Sequence, residues 1–554
     1  MHTHLRKLRY DERGFAIVLA VALMALVTTG SLVVYTLTQD ENSHSRKDVT
    51  KNGAYQAAEA GTNAYLGDLT QDIGFYNTYI AKGEATRTGD LDHAAHPNDC
   101  TVSCGDLAWN KISWGTTWQY LTSPATDKGW YTIPVAGATT SQEYQYLIQV
   151  YPPNKNLTTQ PEAAQITRVD VTGRPYGSTD TSTWVTIETL LRPSSLADFQ
   201  AFLATTETYG TSAVTTGPIF VGEDNSGTPG NLIHNGTAQA NLYAEGTVSG
   251  STTYQYGATH YDKNTNPTAL CKLNDCFPVP FTTFTNYISD VANAAVNTGG
   301  ITLPATDPGN AALKNQTPTA YSVDTWKLVF NPAGTVSVYS CLDQPSTADY
   351  TGFTPPTCAL STAISPNPHT TLSPIKFPIY STTDVIVQGT VHGTVTVASA
   401  DDIIYGGDTT YVQDGTDVLG LEATNNIYIP AWAIHSAANG NITIYSAQFS
   451  LNGGFEADPT TGSTGCSWTG GTNPNGHSSC DSSTQNCNNS PTICLMTING
   501  SSALYDTTQG NGPILMTNAF GHRNYNYDSN LLYLPPPYFP TLPNAFTILT
   551  QRVL

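Results

Sequence analysis

At 554 residues the chain is too long for one ordinary core, so two or three domains are expected. Charged residues make up 12% of it, against a usual share of roughly a quarter, and polarity comes instead from Thr, Ser, Asn, Gly and Tyr, as on exported β-rich surfaces. The net charge is −21 and there is no arginine between Pro193 and His522, which leaves no basic patch there and excludes nucleic acid as a partner.

Residues 1–14 read as a short leader and 15–37 as a transmembrane helix. From Phe15 to Leu37 no side chain is charged, and at about 1.5 Å per helical residue the run matches the hydrocarbon core of a bilayer. Arg6, Lys7 and Arg9 ahead of it hold that end in the cytoplasm, so the rest of the chain is expected outside. Residues 38–72 continue as a helical stalk. No proline falls between Asp40 and Asp72, and Ala54, Ala57, Ala58, Tyr65 and Leu69 recur mostly at spacings of three and four.

Two motifs here carry a resemblance. Arg13-Gly14-Phe15 before an apolar helix resembles the prepilin peptidase site of type IV pilins, and "AYQAAEAGTNAYL" (Ala54 to Leu66) is similar to the "QAAEAG" helix of PilX-type minor pilins. The resemblance implies cleavage between Gly14 and Phe15 by a prepilin peptidase, with the membrane and other pilin-like subunits as partners of the N-terminal helix. Most major pilins carry Glu at the fifth mature position, where this chain has Leu19. A carboxylate buried in a membrane is costly and kept for function, so its absence points to a minor, tip or initiating subunit, or to a protein that is anchored but never polymerises.

Residues 73–193 read as an antiparallel, β-rich pilin-like head: "EYQYLIQV", "QITRVDV" and "TWVTIETLL" alternate apolar and polar positions. From 194 to 254 short apolar dyads punctuated by glycine suggest first rungs of a β-helix. The interval 255–375 reads as an insertion holding a helix at "FTNYISDVANAAVN" and two disulfides. The rhythm resumes over 376–554 in Val385/Val387, Val395/Val397, Ile403/Tyr405, Leu419/Leu421, Ile427/Ile429 and Ile442/Ile444. Such spacing suggests a parallel β-helix, with a sandwich as the alternative. Pro535-Pro536-Pro537 must be extended and cannot enter a sheet interior, so the Pro/Tyr-rich tail reads as a cap. The expected class is thus α+β, mainly β, led by a long N-terminal helix. The tail and "VLGLEATNNIYIP" resemble exported bacterial proteins with a bactofilin-like β-helical domain, which implies location more than activity.

The ten cysteines fall as neighbours: Cys100 with Cys104, Cys271 with Cys276, Cys341 with Cys358, and a cluster of Cys466, Cys480, Cys487 and Cys494. An even number beyond the membrane helix reads as disulfides in an oxidising compartment, the cluster of four allowing three connectivities. Its spacings are wider than structural zinc pairs use. Asp401, Asp402 and Asp408 in "SADDIIYGGD" are the carboxylates that a β-helical polysaccharide hydrolase or lyase, or a calcium site, would draw on, yet Asp beside Gly is also an ordinary turn residue. His93 and His96 are a close pair on a loop, without metal-site spacing. No catalytic residue, metal or cofactor is expected. The reading is a non-enzymatic, pilin-like surface protein with a surface glycan or other cell-surface ligand as its outward partner; the alternatives are the membrane-anchored β-helical enzyme and a cell-envelope scaffold.

Overall fold

The computed structural model describes residues 47–67 and 69, 119–120, 131–133, 143–151, 166–262 apart from 212 and 225, 281–307, 323–341, 355–371, 377–457 apart from 438 and 439, 495–505, 514–515, 520 and 522–554. The leader, the 15–37 segment with Gly14 and Phe15, the pair His93 and His96, and every cysteine except Cys341 and Cys358 lie outside these residues.

The helix-led α+β class is corrected. The described residues are mostly strand, and their helices are three and short: α1 over 47–67, α2 over Tyr287–Asn297 and α3 over Ala431–Ser436. No helix among them is long and apolar enough to cross a membrane; α1 carries Lys47, Asp48, Lys51 and Glu59. The physical reason is patterning, since period-two apolar runs rich in Val, Ile, Thr and Tyr outweigh the one stretch with an unbroken three-and-four stripe.

The first unit is a six-stranded antiparallel sheet. Its strands run in the order Gln119–Tyr120, Tyr144–Tyr151, Thr167–Pro175, Val185–Ser195 and Thr541–Val553, with Tyr131–Ile133 also pairing to Tyr144–Tyr151. The edge strand therefore comes from the C-terminus, and Thr541 lies opposite Ser195.

The second unit is a solenoid of parallel rungs. Phe377–Ser381, Thr394–Ser399 and Val418–Ala423 stack in register on one side, while Asp384–Val391, Ile403–Tyr411 and Ile427–Ile429 stack on another. Each rung sends alternate residues inward, so Ile379, Val397 and Leu421 lie over one another, as do Val385, Ile403, Ile427 and Phe455, all of them buried. Each such side chain contributes about 1.5–3 kcal/mol of burial, and no rung could collect it alone.

Spatial order and chain order differ. The strand Ala201–Leu203 pairs in parallel with Ser502–Leu504 on one side and with Ile219–Val221 on the other. The rungs of 201–262 thus continue the stack beyond 495–526, although they precede it in sequence. Gln200 ties this junction: its Oε1 accepts from the N–H groups of Thr216 and Gly217 at 2.8 and 2.7 Å, and its Nε2 donates to the Tyr525 carbonyl at 2.9 Å.

At the opposite end, Thr325–Asn331 pairs in parallel with Asp384–Val391 and antiparallel with Thr335–Cys341, which closes the core with Val336 and Val338. Cys341 lies opposite Cys358 and is bonded to it across a separation of 17 residues. Closing a loop of that length is worth roughly 3 kcal/mol. The double variant Cys341→Ser with Cys358→Ser should lower the unfolding free energy by about that amount, read by urea titration; no change would mean the cap holds without it.

One outward face of the solenoid is also apolar and has to be covered. Along it Phe449, Ala503, Phe202 and Phe220 follow one another in register, and Tyr243 and Tyr261 extend the line, half-buried and stacked at 5.3 Å. Two segments lie over it. The arm carrying α2 packs Phe284, Ile288 and Val291 into the same cluster, their spacing giving one apolar stripe. The strap 529–540 adds Leu531 and Phe539; its Pro537 carbonyl accepts from Thr396 Oγ1 at 2.5 Å, and Pro536 sits where a side chain on Gly420 would be, 2.6 Å from an added Cβ.

Candidate functional site: the head, its junction and the acidic turn

Helix α1 buries Ala54, Ala57, Ala58, Thr62 and Tyr65, with Leu69 just past it also buried, and leaves Lys51, Tyr55, Glu59 and Asn63 exposed. Its buried face lies on Tyr146, Ile148, Val169, Val171, Ile187 and Leu191 of the sheet. Small residues let the backbones come unusually close. A Cβ at Gly173 would lie 1.8 Å from the Ala54 carbonyl oxygen, and one at Gly61 would lie 2.5 Å from the Tyr146 ring. The close seat selects glycine for space, not for backbone dihedrals.

The other sheet face is polar. Glu188 accepts from Arg168 Nε at 3.0 Å and from Arg552 Nε at 2.6 Å, joining the C-terminal edge strand to two inner strands. Thr172 and Thr186 share a hydroxyl bond at 2.8 Å.

Between head and solenoid sits Arg192, which is 1% exposed. It forms an ion pair with Asp198, donates from Nε to the Leu532 carbonyl at 2.8 Å, and donates from its other nitrogens to the carbonyls of Leu531 and Pro193. Asp198 in turn accepts from the Ser195 N–H and from Thr547 Oγ1 at 2.6 Å, completing a capping box on the turn Leu196–Asp198. One buried pair therefore fixes the head, the first rung, the strap and the last strand together.

The acidic turn brings Asp401 and Asp402 together with Asp384, a carboxylate that sequence reading missed because it lies one rung earlier. One carboxylate oxygen from each lies within 4.8 Å of the others, a hard-oxygen set of the kind a divalent cation accepts. Their hydrogen bonds also run from rung to rung. Asp384 Oδ1 accepts from the Asp402 N–H at 3.1 Å, Asp402 Oδ1 from the Asn426 N–H at 2.7 Å, and Asn426 Oδ1 from the Gly454 N–H at 3.0 Å. Asp401 Oδ1 accepts from Asn425 Nδ2 at 2.7 Å. Asp408 stands apart from this group and accepts from the Thr443 N–H at 2.8 Å.

Burial pushes the Asp402 carboxyl up to about 7; the Asn426 N–H pulls the other way, and Asp384, Asp401 and Glu456 add like charge. Because the folded value lies above the unfolded one, this group's stabilisation is present at low pH and is lost as pH rises toward 7. Asp402→Asn keeps an acceptor for Asn426 and removes the charge. It should match the wild type at pH 4 and exceed it by about 2 kcal/mol at pH 8, read by thermal melting; a variant weaker at both values would sink this account.

Neither a protein family nor a curated protein matches the chain. Among solved structures it is similar to the competence-associated pilin ComZ from Thermus thermophilus, at 11% identity over 91% of this chain and 97% of that one. The TM-score is 0.24, at which no shared fold is read.

His234 has no other histidine near it in the sequence. It is buried, stacked on Tyr209 at 5.4 Å, with Nε2 3.2 Å from Thr215 Oγ1, and burial pushes it down to about 4. A neutral, enclosed imidazole of this kind packs the core.

Proposed function

We propose that the chain is a non-enzymatic, pilin-like surface protein. On this reading a prepilin peptidase cuts between Gly14 and Phe15, and the product joins other pilin-like subunits at the membrane as a minor or tip component that presents the solenoid outward for adhesion. The observation that carries the proposal is the seat of α1. One face, bearing the "QAAEAG" residues Ala57, Ala58 and Gly61, is committed to the head sheet at backbone distance, while Val49, Tyr55, Ala60 and Ala64 face outward where a neighbouring subunit would lie. The non-enzymatic part draws support from the acidic turn, where Asp384 and Asp402 each accept a backbone N–H of the following rung.

Mass spectrometry of the mature protein, together with fractionation of sheared filaments, tests it. The expected result is an N-terminus at Phe15 and recovery with the filaments, both lost in Gly14→Val. Retention of Met1, or a start near Ser31 in protein found in neither filaments nor membranes, would end the proposal.

A further inference from the structure

The covered outer face, mostly apolar, encloses one carboxyl group. Glu422 lies in register between Ala398 and Phe449, both members of the cluster sealed by the α2 arm and the strap. It is fully buried, and among the described residues neither carboxyl oxygen has a hydrogen-bond partner. A lone carboxylate in such surroundings is expensive, whereas the neutral acid is tolerated.

The arm places Phe284 6.1 Å from the ring of Phe449, the ladder neighbour of Glu422. Among the described residues, the titratable groups of this face and its covering elements are mostly tyrosines, with Tyr243, Tyr261, Tyr505 and Tyr527 further along the cluster. Helix α2 contributes Asp290 and Tyr287, the strap Tyr533 and Tyr538, and the ladder Tyr380. Tyr287 hydrogen-bonds Thr541 Oγ1 at 2.8 Å, linking the arm to the start of the last strand. Asp290 repels a charge on Glu422, and burial acts in the same direction more strongly.

We infer that Glu422 is the pin of a proton-sensitive latch: as the neutral acid it lets α2 and the strap close over the solenoid, and its ionisation favours their release. This holds whether or not the chain enters a filament.

The sign follows from linkage. An exposed glutamate ionises in the ordinary carboxylate range and the enclosed one much higher, so between those values each pH unit lowers the closing constant about tenfold. Closure is firmest in acid and weakens as pH rises.

Hydrogen exchange of the full chain at pH 5, 6, 7 and 8, corrected for intrinsic rates, reads this directly. Amides of Tyr287–Asn297 should lose protection about tenfold per pH unit, while those of the strands Asp384–Val391 and Thr394–Ser399 keep theirs. In Glu422→Gln the α2 amides should hold steady across the range. In Asp290→Asn the fall should level off at a lower pH than in the wild type, because the enclosed acid then ionises earlier. The latch is overturned by α2 protection independent of pH in the wild type, by an unchanged slope in Glu422→Gln, or by an equal fall throughout the solenoid. Should Glu422→Gln not fold, the wild-type profile decides alone: α2 protection that falls no faster with pH than that of the strand Asp384–Val391 overturns the latch.

Discussion

Arg192→Leu is expected to destabilise the protein by about 3–5 kcal/mol, the usual cost of removing one partner from a buried ion pair. The guanidinium is 1% exposed and serves Asp198 together with the carbonyls of Pro193, Leu531 and Leu532, so its loss strands one enclosed carboxylate and several acceptors. Adding Asp198→Asn should recover part of the deficit, since the lone charge disappears with it. Urea unfolding of the three proteins measures this. A single variant within about 1 kcal/mol of the wild type would show that the head and solenoid are held together elsewhere.

Gly173→Ala is expected to lift α1 off the head sheet and to cost about 3 kcal/mol or more. The new methyl group would lie 1.8 Å from the Ala54 carbonyl oxygen and 2.8 Å from the Ala58 nitrogen, both backbone atoms that cannot rotate away. The buried contacts of Ala57, Tyr65 and Leu69 go with the helix. Gly67 is the control: among the described residues nothing lies within 4 Å of an added Cβ there, and alanine in a helix should stabilise by about 0.5–1 kcal/mol. Limited proteolysis across 47–67 alongside denaturation distinguishes the two. If the Gly173 variant resists cleavage as the parent does, the close seat is not what fixes the helix.

Much of the solenoid was readable from local pattern. The dyads Val385/Val387, Val395/Val397, Ile403/Tyr405, Leu419/Leu421, Ile427/Ile429 and Ile442/Ile444 are all buried, because a strand's period of two exposes its inward face in the letters themselves. The apolar stripe Ala54, Ala57, Ala58, Tyr65 and Leu69 was equally plain and is the face α1 buries. The described residues hold this helix over 47–67 and include no long apolar one, so the stripe gives the inner face of α1 and nothing about the 15–37 segment, which lies outside them.

What stayed hidden is non-local. Asp401 and Asp402 stood out as adjacent carboxylates, but Asp384 joined them only through stacking, 18 residues away from Asp402. Arg192 meets carbonyls 339 and 340 residues further on, and no window of sequence contains both ends. Glu422 follows an inward Leu421 and so reads as a solvent-facing strand residue; the α2 arm and the C-terminal strap, from opposite sides in sequence, bury it.

The inverted stacking order has a consequence for biosynthesis. A chain emerging from its N-terminus makes the strand Ala201–Leu203 early, but the neighbour that completes one side of it is not synthesised until Ser502–Leu504. The head likewise waits for Thr541–Val553 to cover its outer strand. Throughout that interval bare backbone donors and acceptors are presented to any other nascent copy, which is the situation in which strands pair between molecules. Maturation is therefore a problem of guarding unfinished edges until the final residues arrive, and a chain halted before residue 495 would be left with the open flank of its earliest rung as a template for aggregation.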